Sequence, residues 1–104
     1  MVAGDIKPDV VYEDKSVLAF RDINPQAPLH ILIIPKQHIQ TLNELENTEL
    51  AGHLIQTATK IAKAEGLAED GYRTVFNCNA NGGQEVYHLH LHLLGGRQLT
   101  WPPG

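Results

Sequence analysis

The chain lacks most features that mark secreted, membrane or disordered proteins. It has a single cysteine, Cys78, among 104 residues, so it cannot form an internal disulfide and fits a reducing compartment. No apolar run approaches the roughly 20 residues that a membrane-spanning helix needs. The first eight residues also lack the apolar stretch of a signal peptide. Together these absences predict a cytoplasmic protein.

Positive charge is also scarce. The 8 lysines and arginines are outnumbered by 12 aspartates and glutamates, for a net charge of −4. This balance argues against general nucleic-acid binding and against an anionic membrane surface. Hydrophobic residues make up 42% and charged residues 19%, a globular composition in a chain of single-domain length. We therefore predict one domain over residues 1–104, with no nucleic-acid or membrane partner.

Hydrophobic patterning predicts several strands and one long helix. Strands are expected at residues 10–13, 17–20, 30–35, 72–77 and 86–94, with a loop at 79–83. Leu50, Leu54, Ala58 and Ile61 recur at helical spacing and predict a helix from about residue 48 to 65, ended by Gly66. Residues 41–44 match a capping box. This order of elements predicts an α+β domain with a mainly antiparallel, five-stranded sheet.

Histidine is the unusual residue of this chain. Three of its six histidines, His88, His90 and His92, occupy alternate positions and are separated by leucines. Successive side chains of a strand point to opposite faces. In a strand, the three imidazoles would therefore share one face, and the leucines would pack on the helix.

On the residues alone, three interpretations of the cluster compete. It could be a polar strand face, or a zinc site, since imidazoles bind zinc well. The motif offers no fourth ligand, however, and the only thiol, Cys78, lies ten residues before His88. The third interpretation is catalytic, because an imidazole with a pKa of about 6.5 can act as nucleophile or proton carrier. The neighbouring Asn77 and the Gly82-Gly83 pair suit an anion and favour this third interpretation, without a metal.

The residues also resemble a known family. The run from His88 to Leu94, HLHLHLL, is similar to the histidine triad motif, in which three histidines alternate with apolar residues. Residues 22–28 (DINPQAP), 34–39 (IPKQHI) and 95–104 (GGRQLTWPPG) resemble the nucleotide-binding branch of the histidine triad (HIT) family. The similarity extends from about Val10 to the last residue. The chain begins with less sequence than family members usually have before this point.

The resemblance implies a fold, an assembly and an activity. It implies a homodimer in which the two sheets join into one. It further implies a phosphoramidase that hydrolyses the P–N bond of purine nucleoside 5′-phosphoramidates, such as AMP joined to an amine, through a nucleotidyl-histidine and without a cofactor. By position, His90 is then the nucleophile, His92 contacts the phosphate, and His88 supports the triad.

The same resemblance implies a set of nucleotide-binding residues. Asp22 corresponds to the carboxylate that binds the ribose, with Ile23 and Phe20 beside the base. The positions that correspond to the phosphate and leaving-group side are Asn77, Gly83, Gln84, Glu85 and Val86. His30 is expected near the site, and His38 has a weaker claim. Many relatives have serine in place of Glu85, so we expect an altered leaving-group preference.

Other activities remain as alternatives at this point. The chain could be a nucleotide-binding adaptor or sensor that keeps the pocket. It could also be a dinucleoside polyphosphate hydrolase or a nucleotidyl transferase, as in other histidine triad branches. The short chain and its Trp-Pro-Pro-Gly ending favour the phosphoramidase over these two enzymes.

Overall fold

A computed structural model describes residues 9–104 as five strands, one long helix and two short helical turns. The predictions about the segment 1–8 lie outside this range. The strands are β1 (Asp9–Glu13), β2 (Val17–Arg21), β3 (Leu29–Pro35), β4 (Tyr72–Phe76) and β5 (Leu91–Gly95), and the helices are α1 (Thr48–Ala64) and α2 (Asn79–Gly82). A 3₁₀ turn spans Leu42–Glu44. The strands form one sheet in the order β1-β2-β3-β5-β4, and every neighbouring pair is antiparallel. The predicted fold class is confirmed.

Helix α1 covers one face of the sheet and forms the core with it. Its inward residues come at helical spacing, as the sequence predicts, and the sheet supplies β-branched and leucine side chains. The core set includes Leu54, Ala58, Ile61 and Ala62 from α1 and Val17, Ala19, Ile31, Ile33, Leu91 and Leu93 from the sheet. Burial of these side chains contributes roughly 1.5–3 kcal/mol for each large residue.

Capping residues mark both ends of α1. The Asn47 side chain accepts a hydrogen bond from the Leu50 N–H and caps the first turn. Gly66 has φ +80, a left-handed conformation that favours glycine, just beyond the C-terminal end. The predicted capping box of Thr41 and Glu44 does form, but it caps the 3₁₀ turn rather than α1.

The other face of the sheet carries the histidines. Because α1 packs on Ile31 and Ile33 of β3, the alternate residues His30 and Leu32 point to the opposite face. Strand pairing places Phe20, Leu32, His92 and Val75 in one row across this face. His30 lies one step diagonally from His92.

Two predicted elements differ from the structure. The last strand was expected from residue 86 but begins only at Leu91. Its partner β3 pairs Ile33 with Leu91 and ends at Pro35, which has no N–H to continue the ladder. The predicted loop at 79–83 contains the single helical turn α2, followed by Gly83 in a left-handed conformation with φ +80. Among residues 9–104, no helix combines the length and apolar character that a bilayer crossing requires.

Candidate active site

The three clustered histidines lie at the start of β5 and just before it. His92 is in the strand, whereas His88 lies in a bend over residues 86–88 and His90 lies in the irregular chain between that bend and the strand. The prediction that one strand holds all three is therefore wrong. The alternation still places them as expected, because the intervening Leu89 and Leu91 are at most 2% exposed while the histidines are partly exposed.

His90 is held in one tautomer by the main chain. Its Nδ1 lies 2.7 Å from the carbonyl oxygen of His88. A carbonyl oxygen can only accept, so Nδ1 carries the proton and donates it to this bond. The neutral ring then has its lone pair on Nε2, and no partner for Nε2 occurs among residues 9–104. His90 thus presents a nucleophilic nitrogen with fixed orientation.

His92 has the opposite tautomer, which is set by a chain of hydrogen bonds. The Gln26 N–H donates to Nδ1 of His30 at 3.0 Å, so Nδ1 of His30 has no proton. The proton of neutral His30 is therefore on Nε2, which lies 2.9 Å from Nδ1 of His92 and donates to it. His92 must then carry its own proton on Nε2. A backbone amide thus determines the tautomers of two side chains in succession.

The Nε2–H of His92 is a donor without an acceptor. This nitrogen is buried and, within the described range, has no hydrogen-bond partner. A buried donor left unpaired destabilises the free protein by roughly 1–3 kcal/mol. Burial lowers the pKa of His92 to about 4, with the nearby His90 and His30 adding to the effect. Burial also lowers the pKa of His30. Both rings are therefore neutral at pH 7, and Nε2–H of His92 is available to an incoming oxygen or nitrogen atom.

The rings of His90 and His92 lie next to each other. Their ring centroids are 4.9 Å apart and nearly edge to face. One ring therefore offers a lone pair and its neighbour offers an N–H, a combination that suits an electrophilic centre with negatively charged oxygens. Asn77 lies near this position, because β4 and β5 pair Phe76 with Leu91 and the next residues, Asn77 and His90, face each other just beyond the ladder.

Asp22 lies beside the buried histidine pair. Its Oδ1 accepts from the Asn24 N–H at 2.9 Å, and its Oδ2 is 3.5 Å from Nε2 of His30. The carboxylate therefore has a structural role in the turn after β2. It also remains partly exposed, with Ile23 beside it in sequence at 61% exposure. Phe20, by contrast, is buried at 4% exposure in the row that contains His92.

The loop before the histidines is fixed by Gln84. This side chain is 7% exposed, and its oxygen accepts from the Asn79 N–H at 2.9 Å. Its amide group donates to the carbonyls of Gln40 and Val86 at 2.8 and 3.1 Å. All these bonds are internal, so the Gln84 side chain is occupied in holding the loop.

The predicted anion cradle is only partly available in this loop. The N–H groups of Gly83 and Gln84 donate to the carbonyls of Ala80 and Asn79, each at 3.0 Å. An anion that used them would have to break these turns. Glu85 and Val86 are exposed, and neither backbone N–H has a partner among the described residues. The free donors on this side therefore belong to Glu85 and Val86.

Two contacts of the site could hardly be predicted from the sequence. The Gln26 N–H that sets the tautomers of His30 and His92 is a main-chain group. The residue type at position 26 therefore gives no indication of this contact. His38, exposed in the turn after β3, has Nδ1 at 3.1 Å from Nδ1 of His88. The sequence hint for His38 was its place in the IPKQHI segment.

Among residues 9–104, the group of side chains that could share a metal ion is Asp22, His30 and His92. Ligand atoms of these three residues lie within 4.8 Å of one another. Two imidazole nitrogens bound to one tetrahedral zinc are about 3.3 Å apart. The 2.9 Å between Nε2 of His30 and Nδ1 of His92 is instead the length of a hydrogen bond. In this arrangement the pair fits a hydrogen-bonded chain, and zinc would require the rings to separate.

Comparisons with known proteins agree with the fold and the motif. A purine nucleoside phosphoramidase of Escherichia coli (strain K12) is 55% identical over 95% of this chain and 85% of its own length. A 14 kDa zinc-binding protein of Zea mays is 56% identical over the whole chain and 84% of its length. The crystal structure of a HIT family hydrolase from Legionella pneumophila matches with a TM-score of 0.94 and 61% identity, covering 100% of this chain and 95% of that one. The family model of the HIT domain matches residues 3–99, and the chain belongs to this family.

Proposed function

We propose that this protein is a purine nucleoside phosphoramidase that hydrolyses the P–N bond of nucleoside 5′-phosphoramidates, such as AMP joined to an amine. The observation that carries the proposal is the pair of opposite tautomers at His90 and His92. One ring offers a nucleophile, and the next offers a hydrogen-bond donor, on the same side of the sheet. The name of the E. coli relative gives the reaction independent support.

In the first step, the lone pair on Nε2 of His90 attacks the phosphorus atom. A new N–P bond forms, the P–N bond to the leaving amine breaks, and its electron pair stays on the amine nitrogen. The amine then takes up a proton. We assign that proton to solvent water, because His30 and His92 are both neutral and the one N–H of the pair without a partner, on Nε2 of His92, stays on a phosphate oxygen. Nδ1–H of His90 stays on the His88 carbonyl throughout, so the ring does not rotate.

In the second step, water attacks the phosphorus of the nucleotidyl-histidine. The N–P bond to His90 breaks, its electron pair returns to Nε2, and the nucleoside monophosphate is released. The attacking water gives its proton to solvent, so His90, His92 and His30 return to their neutral starting state. During both steps Nε2–H of His92 donates to a phosphate oxygen, together with Asn77 and the free N–H groups of the loop. His88 contributes through its carbonyl oxygen.

The remaining predicted residues surround this centre as binding groups. The exposed Ile23 and the buried Phe20 are proposed to contact the base, and Asp22 to bind the ribose. His30 would act through His92. The phosphate and leaving-group side is proposed to consist of Gly83, Gln84, Glu85 and Val86, with Gln84 acting by holding the loop. The protein is further proposed to be a cytoplasmic homodimer that needs no cofactor.

Zinc binding is the second candidate function. It is favoured by the grouping of Asp22, His30 and His92 and by the name of the maize relative. The short distance between the two histidines argues against it, as shown above. Metal analysis of untagged protein, together with turnover in the presence of a chelator, separates the two candidates.

The test is steady-state hydrolysis of an AMP-amine phosphoramidate by wild-type protein and two variants. We expect His90→Ala to lower kcat/KM by at least about 1,000-fold, because the nucleophile is lost. The control is His53→Gln, which removes a histidine on α1 whose side chain hydrogen-bonds only to Asp14 in the described chain, and it should keep full activity. Chelator should leave turnover unchanged. Activity of His90→Ala within a few-fold of wild type would contradict the assignment, and nucleotide binding without turnover would favour an adaptor.

A further inference from the structure

Two irregular segments are joined beside the nucleophile where the sheet has stopped. Residues 36–40 follow β3, whose last residue is Pro35, and residues 84–89 precede β5. Four side-chain or backbone contacts join them, and we refer to these contacts as the seam. They connect the Pro35 carbonyl to His88, His38 to His88, the Ile39 carbonyl to Leu89, and the Gln40 carbonyl to Gln84. The seam replaces the ladder that Pro35 cannot continue.

The seam orients the peptide group that holds His90. The Leu89 N–H donates to the Ile39 carbonyl at 2.7 Å. The carbonyl on the other side of this same planar peptide is that of His88, which accepts from Nδ1 of His90 at 2.7 Å. The peptide therefore donates on one side and accepts on the other. Any rotation of the peptide plane would weaken both hydrogen bonds, and His90 would no longer be held with its proton on Nδ1.

The imidazole of His88 is fixed from two sides. Its Nε2 lies 2.9 Å from the Pro35 carbonyl, which can only accept, so Nε2 carries the proton. Nδ1 of His88 is then an acceptor, and Nδ1–H of His38 donates to it across 3.1 Å. Because His38 donates to Nδ1 of His88, a flip of the His88 ring would break this hydrogen bond as well as the one to Pro35. His38 thus fixes a residue whose carbonyl fixes the nucleophile.

We propose that His38 is a positioning residue for the reaction and acts on His90 through His88. Its side chain is exposed, and its one side-chain hydrogen bond among residues 9–104 is the contact with His88. Its effect is to keep the His88–Leu89 peptide in the plane that holds His90 with its proton on Nδ1. The consequence for catalysis rests on the proposed phosphoramidase function, whereas the consequence for the tautomer does not.

The experiment uses three substitutions that differ in where they place a donor. His38→Asn puts an amide N–H near the position of Nδ1, His38→Gln puts it near Nε2, and His38→Ala removes it. We expect His38→Ala and His38→Gln to lower kcat by about three- to tenfold with KM changed less than about twofold, as for the loss of one hydrogen bond. His38→Asn should stay close to wild type. Since the residue is exposed, the thermal midpoint should change little in all three variants.

A spectroscopic readout separates positioning from a general structural effect. Nitrogen-15 NMR of histidine-labelled protein reports which ring nitrogen of His90 is protonated. We expect the Nδ1–H form to dominate in wild type and in His38→Asn, and its population to fall in His38→Ala and His38→Gln. An unchanged His90 tautomer in His38→Ala, or equal loss of kcat in His38→Asn and His38→Ala, would overturn the proposal. If wild-type protein has no phosphoramidase activity, the tautomer comparison still decides whether His38 positions His90.

Discussion

At the scale of single residues, identical side chains acquire different chemistry from their hydrogen-bond partners. His90 and His92 are two positions apart, and both are imidazoles. A carbonyl at Nδ1 gives His90 a free lone pair on Nε2, whereas a donor at Nδ1 gives His92 a free N–H at the same ring position. The role of each histidine in the proposed reaction therefore follows from whether the partner of its Nδ1 accepts or donates a hydrogen bond.

The buried histidine pair predicts how stability depends on pH. Burial lowers the pKa of His92 to about 4, below its usual value of about 6.5, so between these values the unfolded chain binds more protons than the folded one. Stability from this group is therefore complete above about pH 6.5 and is lost as the pH falls towards 4. Urea denaturation at pH 7.5, 6.0 and 5.0 should show this decline.

The matched variant for that experiment is His92→Asn. Its stability should depend less steeply on pH across the same window, although not be independent of pH, because burial also lowers the pKa of His30. Asp14 contributes in a separate, more acidic window. Hydrogen bonds from Tyr12 and from the Ser16 N–H hold the pKa of its carboxyl well below the usual range, so this contribution is lost only below about pH 4. An equal slope in wild type and His92→Asn would contradict the assignment to His92.

At the scale of elements, the site depends on where β5 begins and ends. The strand starts late because β3 ends in proline, and it stops at Gly95, immediately before Gly96. Gly96 has φ +92, and a Cβ there would lie 2.9 Å from Cβ of Pro28. The turn after β5 can therefore approach the loop before β3 only if residue 96 has no side chain. That loop also contains Gln26, whose N–H orders His30.

We predict that Gly96→Ala destabilises the protein by about 1–3 kcal/mol, because both the backbone conformation and the contact with Pro28 become strained. The control is Gly82→Ala in α2, where φ is not positive and the nearest atom to a Cβ would be 3.6 Å away. That variant should equal wild type or gain up to about 1 kcal/mol. Chemical denaturation of both variants provides the comparison, and equal stability of Gly96→Ala and wild type would refute the strain argument.

How much of this could be predicted from the sequence differs between elements and contacts. Helix α1 agrees with prediction to within one residue at its C-terminal end, because helical periodicity, Asn47 and Gly66 are local signals. The start of β5 was placed five residues early, because the His-Leu alternation continues through 88–90 although Pro35 of the partner strand has no N–H to extend the ladder. Strand ends depend on the partner, and the pattern of one segment does not contain that information.

The candidate site shows the same division. Its histidines could be found from their spacing, but their tautomers could not, because these depend on a carbonyl of His88 and an amide of Gln26. Gln84 was predicted as a contact with nucleotide. In the structure its side chain bonds to Asn79, Gln40 and Val86, which the sequence did not predict. The residue type of a polar side chain next to a motif does not show whether it binds a ligand or stabilises a loop.

At the scale of the whole molecule, the described chain ends its sheet at β4, which has a neighbour only on the side of β5. Tyr72 on this strand is 37% exposed, and Trp101 is 79% exposed with the Arg73 guanidinium 5.7 Å from its ring centroid. An edge strand with unpaired backbone groups can pair with a second copy of itself. The proposed homodimer would place this strand and the exposed aromatic residues at its interface.

We predict that sedimentation equilibrium gives twice the chain mass of 11.5 kDa. The thermal midpoint should also rise with protein concentration, because dissociation accompanies unfolding of a dimer. Deletion of residues 101–104 removes Trp101 and should weaken the dimer. A monomer at all concentrations, with a midpoint independent of concentration, would contradict the homodimer.

The amide at position 26 has a consequence for mutational tolerance. Every amino acid except proline supplies the same N–H, so the hydrogen bond that sets the tautomers of His30 and His92 is independent of the side chain at this position. A saturation library at residue 26 should therefore contain eighteen replacements that keep the histidine chain intact and a single one that breaks it. The donor that sets two tautomers therefore lies at a position whose side chain takes no part in that bond.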